Sequence, residues 1–337
     1  MRAILLALTL CGLAAAGRAQ TPPPILDVHL HALSVSAFGE GPVAICAPLE
    51  QHPVWDPAQH SWEDFFAEVH VGGKACDEPL WSPETDEALM RQTIEVMERR
   101  NVYGVLSGTP ERVAGWQAAA PGRFIPGLFF MLSEHAAITP DSLRRLVDTG
   151  AMEVFGEVSN WYDGVVPDDE RMAPYWALAE ELDLPVGVHL HPGRPGEPHA
   201  GYGARGRLIS ALTLEEVLVR HPRLRVYVMH AGYPLLDDLL ALLYGHPQVY
   251  VDVGAIVFFE PRAAFYRYLR AIVEAGFGNR VMFGSDQILW PETIERSIAV
   301  IEEAPFLSEQ QKRDILYHNA ARFLRLGEEE IARHHGR

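Results

Sequence analysis

The chain has 337 residues, 48% of them hydrophobic and 22% charged, with a formal net charge of −17 at pH 7. This is globular composition, with apolar material for one large α/β unit. The acidic balance excludes nucleic acid and anionic membrane surfaces as partners, since both repel it.

Arg2 is followed by a run from Ala3 to Ala16 that is apolar apart from Thr9, and then by "GRAQTPPP". A basic start, a short apolar core and small residues before Gln20 predict a cleaved signal peptide over residues 1–19. The run is too short to span a membrane, and the bulky Leu10 before Cys11 argues against a lipoprotein. The mature chain, 20–337, is therefore expected in the periplasm or outside the cell. Only Cys46 and Cys76 then remain, and an even pair in an oxidising compartment predicts a disulfide.

From Ile25 onward, short apolar runs alternate with amphipathic stretches. The expected strands are "ILDVHLH", "VYGVLSG", "RFIPGLFFM", "MEVFGEVSN", "LPVGVHLH", "LRVYVMHA", "QVYVDVGA" and "RVMFGSD". Several are almost continuously apolar, as strands covered on both faces are. Helices are expected over "DEALMRQTIEVMERR", "PDSLRRLVDTG", "RMAPYWALAEELD" and "LTLEEVLVRHP", bounded by Pro, Asp or Ser at the start and Gly, Asn or Pro at the end. Eight strands alternating with helices predict a single-domain (β/α)₈ TIM barrel. A doubly wound sheet is the alternative, but no Gly-rich phosphate loop follows the first strand. Leu33 to Pro83 interrupts the repeat after strand 1 and reads as a lid-like insertion. Extra helix is expected after strand 8, with "GEEEIARHHGR" as an exposed tail.

In such a barrel the reactive side chains stand at the C-terminal ends of the strands. His29 and His31 end the first strand, Glu157 lies on the fourth, His189 and His191 on the fifth, His230 on the sixth and Asp286 on the eighth. One histidine at a strand end is usually a hydrogen-bonded structural residue. Five strands delivering His, Glu or Asp to one ring point instead to a metal, since imidazole and carboxylate together suit zinc, manganese or iron.

"DVHLHA", "PVGVHLHPG", "VYVMHAGYP" and "VMFGSD", in this order, resemble the amidohydrolase superfamily. The similarity is to its amidohydrolase-related branch, which includes aminocarboxymuconate-semialdehyde decarboxylase, and it runs from about Ile25 to Leu326. The resemblance implies His29, His31, His189 and Asp286 as metal ligands and His230 as a polarising or proton-shuttling group. At the fifth strand "VHLH" offers both His189 and His191. His189, four residues after Pro185, has the spacing usual in the family, which leaves His191 to substrate or loop. Many two-metal relatives bridge their ions with a carboxylated lysine after the fourth strand. Lys74 and Lys312 are the only lysines and neither is near it. The expectation is one divalent ion, Zn²⁺ with Mn²⁺ as the alternative, or a second ion if Glu157 acts as a bridge.

The parts fit hydrolysis of an amide, ester or lactone in a small carboxylated or aromatic compound, with Asp286 and His230 as the catalytic pair. The alternative on the same residues is non-oxidative decarboxylation of an aromatic or unsaturated acid. A non-catalytic metal-binding barrel ranks last, because storage needs no acid–base partner. Arg194, Arg205 or Arg207, in a Gly- and Arg-rich loop after the fifth strand, is a candidate carboxylate clamp, with solvation of the loop as the ordinary role. His191, Trp161 and Trp290 are candidate pocket walls, although each aromatic has packing under the loops as its ordinary role. His52, His60 and His70 read as surface residues of the insertion. The expected partner is a small-molecule substrate, with no nucleic acid, no membrane after leader removal, and a homodimer as the assembly open to it.

Overall fold

A computed structural model of the protein describes residues 22–201 and 203–336. The expected signal peptide lies outside these residues. Eight parallel strands correspond to the eight apolar runs: β1 (Ile25–His31), β2 (Val102–Gly108), β3 (Phe124–Leu128), β4 (Phe155–Val158), β5 (Val186–His189), β6 (Val226–Met229), β7 (Tyr250–Asp252) and β8 (Val281–Met282). Ladders join β1–β2–β3 and β4 through β8. Bridges Gly127↔Val154 and Phe130↔Val158 connect β3 to β4. On the other side, Val28 N–H donates to Phe283 O (3.0 Å) and Asp286 N–H to His29 O (2.8 Å). The ring is thereby closed into the (β/α)₈ barrel.

Local chemistry sets the outer layer. The helix Asp86–Arg100 starts where the Thr85 hydroxyl accepts the Ala88 N–H and stops at Asn101, whose φ of 52° leaves the helical region. The helix Pro140–Asp148 begins the same way at Thr139. The run "LTLEEVLVRHP" is helical only over Glu215–Arg220, after a 3₁₀ turn. Leu89, Val96, Leu143, Val217 and Leu218 point these helices into a continuous core against the strands. A smaller cluster packs Leu26, Val28, Tyr227, Met229 and Met282 against Tyr317 and Phe323 of the C-terminal helices.

Residues 33–83 lie over the C-terminal mouth. Trp290 Nε1–H donates to Val43 O (2.8 Å) and Arg296 to Ala47 O (2.7 Å). Leu49 N–H donates to Phe259 O (2.7 Å). Cys46 and Cys76 are joined, with Cα atoms 6.0 Å apart. The segment's ends pair as a short antiparallel ladder, Ala44↔Trp81 and Ile45↔Leu80.

Two expectations are corrected. The terminal "GEEEIARHHGR" is no exposed tail: Glu328–His334 is helical, and the buried His334 ring stacks on Tyr103 at 3.8 Å. His70 is buried as well, packed among Trp62, Phe65 and Phe66. Both residues look polar in sequence, yet each ring finds an aromatic wall that removes it from water.

Candidate active site

The end of β1 does not follow a plain period of two. Its pairing with β2 slips between Asp27 and Leu30, and Asp27 Oδ1 takes the N–H groups of His29 and Ser285, both at 3.0 Å. Burial pushes the Asp27 carboxyl up to about 7. The Gln287 amide accepts from His31 N–H (2.8 Å) and donates to His31 O (2.7 Å). Side chains thus replace ladder partners at both histidines and hold them at one mouth. A Cβ at Gly254 would stand 2.5 Å from His29 Nδ1, and one at Gly284 would stand 2.8 Å from His29 Cβ. Only glycine leaves room for this ring.

His29, His31, Glu157 and Asp286 converge, all buried. Glu157 Oε2 lies 3.2 Å from His29 Nε2 and 3.1 Å from His31 Nε2. Asp286 Oδ1 lies 3.0 Å from His31 Nε2 and 3.5 Å from His29 Nε2. Asp286 Oδ1 makes no well-aligned hydrogen bond, so it meets the two rings through charge rather than a directed bond. Donors each about 2.0–2.1 Å from one ion at tetrahedral angles stand about 3.3–3.4 Å apart. The four measured edges fall around that value, and the N₂O₂ donor set suits zinc or manganese. The residues fit a divalent ion.

Protonation supports the fit. Burial opposes the Glu157 carboxylate, but the His189 charge and hydrogen bonds from His189, His230 and His29 outweigh it and hold it well below the glutamate range. Asp286, likewise buried, is brought to about 2 by His29, His31 and His230. Burial lowers the His31 imidazole, yet Asp286 and Glu157 lift it to about 8. The carboxylates are ionised and the protein supplies protons as counter-charge, which a metal would displace on binding.

His189 stands in a neighbouring set with Glu157 and His230. Its Nε2 faces His191 O at 3.0 Å, while Nδ1 meets Glu157 Oε1 and lies 3.0 Å from His230 Nε2. His230 Nδ1 faces Gly254 O at 3.0 Å. Each backbone carbonyl accepts an N–H from the ring it faces, which sets the orientation of that ring beside Glu157. His191 is buried, and desolvation with the nearby His230 and His189 holds it well below the histidine range. It is neutral, and its ring leans on His230 and Tyr233.

Asp252 was not anticipated. Fully buried on β7, its Oδ2 lies 3.1 Å from His29 Nδ1, and its Oδ1 accepts the N–H of His230 (3.0 Å) and Gly254 (2.8 Å). It fixes the His29 tautomer that frees Nε2 for the cluster. An aspartate inside the apolar run "QVYVDVGA" is a usable signal, because a buried carboxylate demands a partner.

The remaining candidates lie around this cluster. Trp161 is buried, stacks on His189 with centroids 5.8 Å apart, and donates its Nε1–H to Arg205 O (2.9 Å). Trp290 is buried and fixed to the 33–83 segment through Val43 O. Arg194 lies over Phe38, Phe66 and Trp290.

Comparison with known proteins gives the family and the fold. The Amidohydrolase family profile matches residues 26–326, and the chain belongs to that family. A curated relative, Protein fluG of Emericella nidulans, is 24% identical over 173 residues; the match covers 46% of this chain and 20% of that protein. The chain thus spans about a fifth of that relative's length. Similar structures include a 2,6-dihydroxybenzoate decarboxylase complexed with 2,6-dihydroxybenzoate (TM-score 0.55, 16% identity, 91% of this chain and 100% of that one). A probable 2-pyrone-4,6-dicarboxylic acid hydrolase from Acinetobacter baumannii, with citric acid bound, gives TM-score 0.56 and 14% identity over 90% and 99% of the chains. The manganese-bound 5-carboxyvanillate decarboxylase of Novosphingobium aromaticivorans gives 0.53 and 15% over 69% and 79%. At these identities the likeness establishes the fold.

Proposed function

We propose that this chain is a metal-dependent enzyme that decarboxylates a small aromatic or unsaturated acid. The observation that carries the reading is the convergence of His29, His31, Glu157 and Asp286 with an unpaired Asp286 oxygen at its centre. Decarboxylases among the similar structures support the reaction type.

One divalent ion, zinc or manganese, would be held by His29, His31, Asp286 and Glu157, with His189 adjoining. When bound, it supplies Lewis-acid polarisation of a substrate oxygen and lowers the pKa of a water. Asp286, ionised at rest, takes a proton from water or from the acidic group of the substrate and passes it to the carbon that loses carboxylate as CO₂. His230, its Nδ1 3.9 Å from Asp286 Oδ2 and its protonated form favoured by Glu157 and Asp286, steadies the developing charge and the proton position. Asp252 keeps His29 in register. Residues 33–83 exclude water from the mouth, and residues 20–337 act as one barrel with that segment as its lid.

Hydrolysis of an amide, ester or lactone is the second reading, and a specific observation favours it. Glu157 turns Oε2 toward His29 and His31, and Oε1 toward His189 and His230. A carboxylate shared by two donor sets suits two ions. Asp286 would then take the proton of the attacking water and return it to the leaving group.

Metal analysis of purified protein beside a His29→Ala control tests the core of both readings: metal in the wild type, lost in the variant, is expected. Metal-free protein after reconstitution with zinc, manganese and iron would overturn them. About one equivalent per chain fits the first reading and about two the second. Turnover in D₂O separates the reactions, since decarboxylation leaves deuterium on carbon, whereas hydrolysis in H₂¹⁸O leaves ¹⁸O in the released acid.

Export is part of the same proposal, supported by the leader-like start and the joined cysteines. Among the described residues no helix is long and apolar enough to cross a membrane. A mature N-terminus near Gln20, read by protein sequencing, is expected; retention of Met1 would refute cleavage.

A further inference from the structure

The Cys46–Cys76 bond ties residues 33–83 together, and its two sulfurs stand in unlike surroundings. Cys46 is buried, 3% exposed, just after the ladder strand Ala44–Ile45. Cys76 is half-buried in a loop, followed by the exposed acids Asp77 and Glu78. Lys74 before it is engaged elsewhere, 3.2 Å from Glu68. The charge beside Cys76 is therefore negative.

Charge of the opposite sign faces Cys46. Cys46 and Arg194 line one cavity of about 10 Å³ with His70, Leu49 and Phe259, room for about one water. Both Arg194 Nη atoms are buried and neither makes a hydrogen bond. Phe38, Phe66 and Trp290 surround the guanidinium, their centroids 4.5, 5.5 and 5.6 Å away. Ring faces attract a cation but accept no directed hydrogen bond. Burial pushes the neighbouring Glu197 carboxyl up, toward its neutral form. Burial, helped by the Arg194 charge, brings His70 down to about 4, so it is neutral at pH 7.

While the cysteines are joined, Arg194 is thus a buried cation short of an acceptor. Reduction supplies one. A thiolate beside a guanidinium is stabilised, and a disulfide whose reduced form is stabilised is a labile one. The remaining ties of the loop are non-covalent. Leu49 N–H donates to Phe259 O (2.7 Å), His52 Nε2 lies 3.5 Å from Glu260 Oε2, and Trp55 and Trp62 pack on His199.

We propose that Cys46–Cys76 is a redox-active pair, reducible by a dithiol, with Arg194 as the partner of the Cys46 thiolate. Reduction frees residues 47–75 to open over the mouth of the barrel. A thiolate of the dithiol attacks Sγ of Cys76, the more exposed cysteine, and Cys46 leaves with the electron pair of the S–S bond. The second sulfur of the dithiol then displaces Cys76 and closes its own disulfide. Two electrons pass to the cysteines; of the two protons of the dithiol, one ends on Cys76 and one in solvent. None of these steps depends on a bound metal.

Equilibration with couples of reduced and oxidised dithiothreitol at pH 7, then thiol trapping and mass spectrometry of the Cys46 and Cys76 peptides, tests it. Arg194→Met is expected to be about 10- to 100-fold harder to reduce than the wild type, the range for a charged hydrogen bond. Arg194→Lys should fall between them. Equal reduction of wild type and Arg194→Met overturns the proposal. In Cys76→Ser, the pH profile of Cys46 alkylation by iodoacetamide should have its midpoint below the ordinary thiol value of about 8.5. A midpoint at or above that value overturns the proposal even if Arg194→Met fails to fold. Hydrogen exchange over residues 50–71 should quicken several-fold on reduction, with the barrel strands unchanged; equal exchange in both redox states refutes the opening.

Discussion

The two ends of the barrel use the same residue types to opposite ends. At the N-terminal end, Arg123, Arg225 and Arg280 fill carbonyls left open by the preceding helices and loops, and His334 stacks on Tyr103 while its Nδ1 lies 3.0 Å from the Tyr317 hydroxyl. Each of these donors has an acceptor, and the arrangement holds the fold. At the C-terminal end, Asp286 Oδ1, His31 Nδ1 and the Arg194 fork are buried without hydrogen bonds. Polar groups left unsatisfied in the interior cost stability, so the mouth is kept for binding at the expense of the fold.

The largest break in this contrast should come from the cluster itself. Asp286→Asn is expected to abolish turnover in a steady-state assay while the protein still folds, with a lowered Tm because the charge that His29, His31 and His230 stabilise is removed. A fall in Tm with activity intact would assign Asp286 to the fold. Next is Asp252→Asn, which removes the charge behind His29 Nδ1 without removing a ligand. Metal affinity should fall about 10- to 100-fold in competition with a chelator; unchanged affinity would show that His29 is oriented by Gly254 and Gly284 alone.

At the other end, Arg280→Ala leaves three carbonyls without their donor and should cost about 1–3 kcal/mol, seen as a Tm lower by several degrees with kcat/KM unchanged. Altered catalysis there would break the division between the ends. The smallest effect is on pH. Burial pushes His70 and His334 down to about 4 from 6.5, so between those values the unfolded chain binds protons that the native chain refuses. Stability therefore rises with pH over that window and falls on acidification from 6.5 toward 4. A His70→Gln/His334→Gln protein should show a flatter decline in Tm over the same range, and an equally steep one would locate the acid sensitivity elsewhere.

Much of this contrast was legible in the chain. The eight strands came through because doubly covered strands are apolar throughout, and the ring residues came through because polar side chains at the ends of such runs are conspicuous. Asp252 escaped notice because its strand was identified but its carboxylate had no visible partner: His29 is 223 residues away. Asp27 and Gln287 escaped for the same reason, as substitutes for ladder bonds at a slip in β1 that no periodicity reveals. His70 and His334 were read as surface because local polarity says nothing about which aromatic wall a loop or terminal helix will meet.

The sequence alone determined the alternation of strands and helices, the paired histidines at the first strand, the order of His, Glu and Asp around the ring, and the cysteine pair. These are local properties: period, composition and spacing along one chain. Only the tertiary structure decided which oxygen of Glu157 faces which histidines, which nitrogen of each ring faces the cluster, and which buried arginine nitrogens lack an acceptor. Those depend on closure of the ring, where β8 meets β1 and residues far apart in sequence come within hydrogen-bond reach.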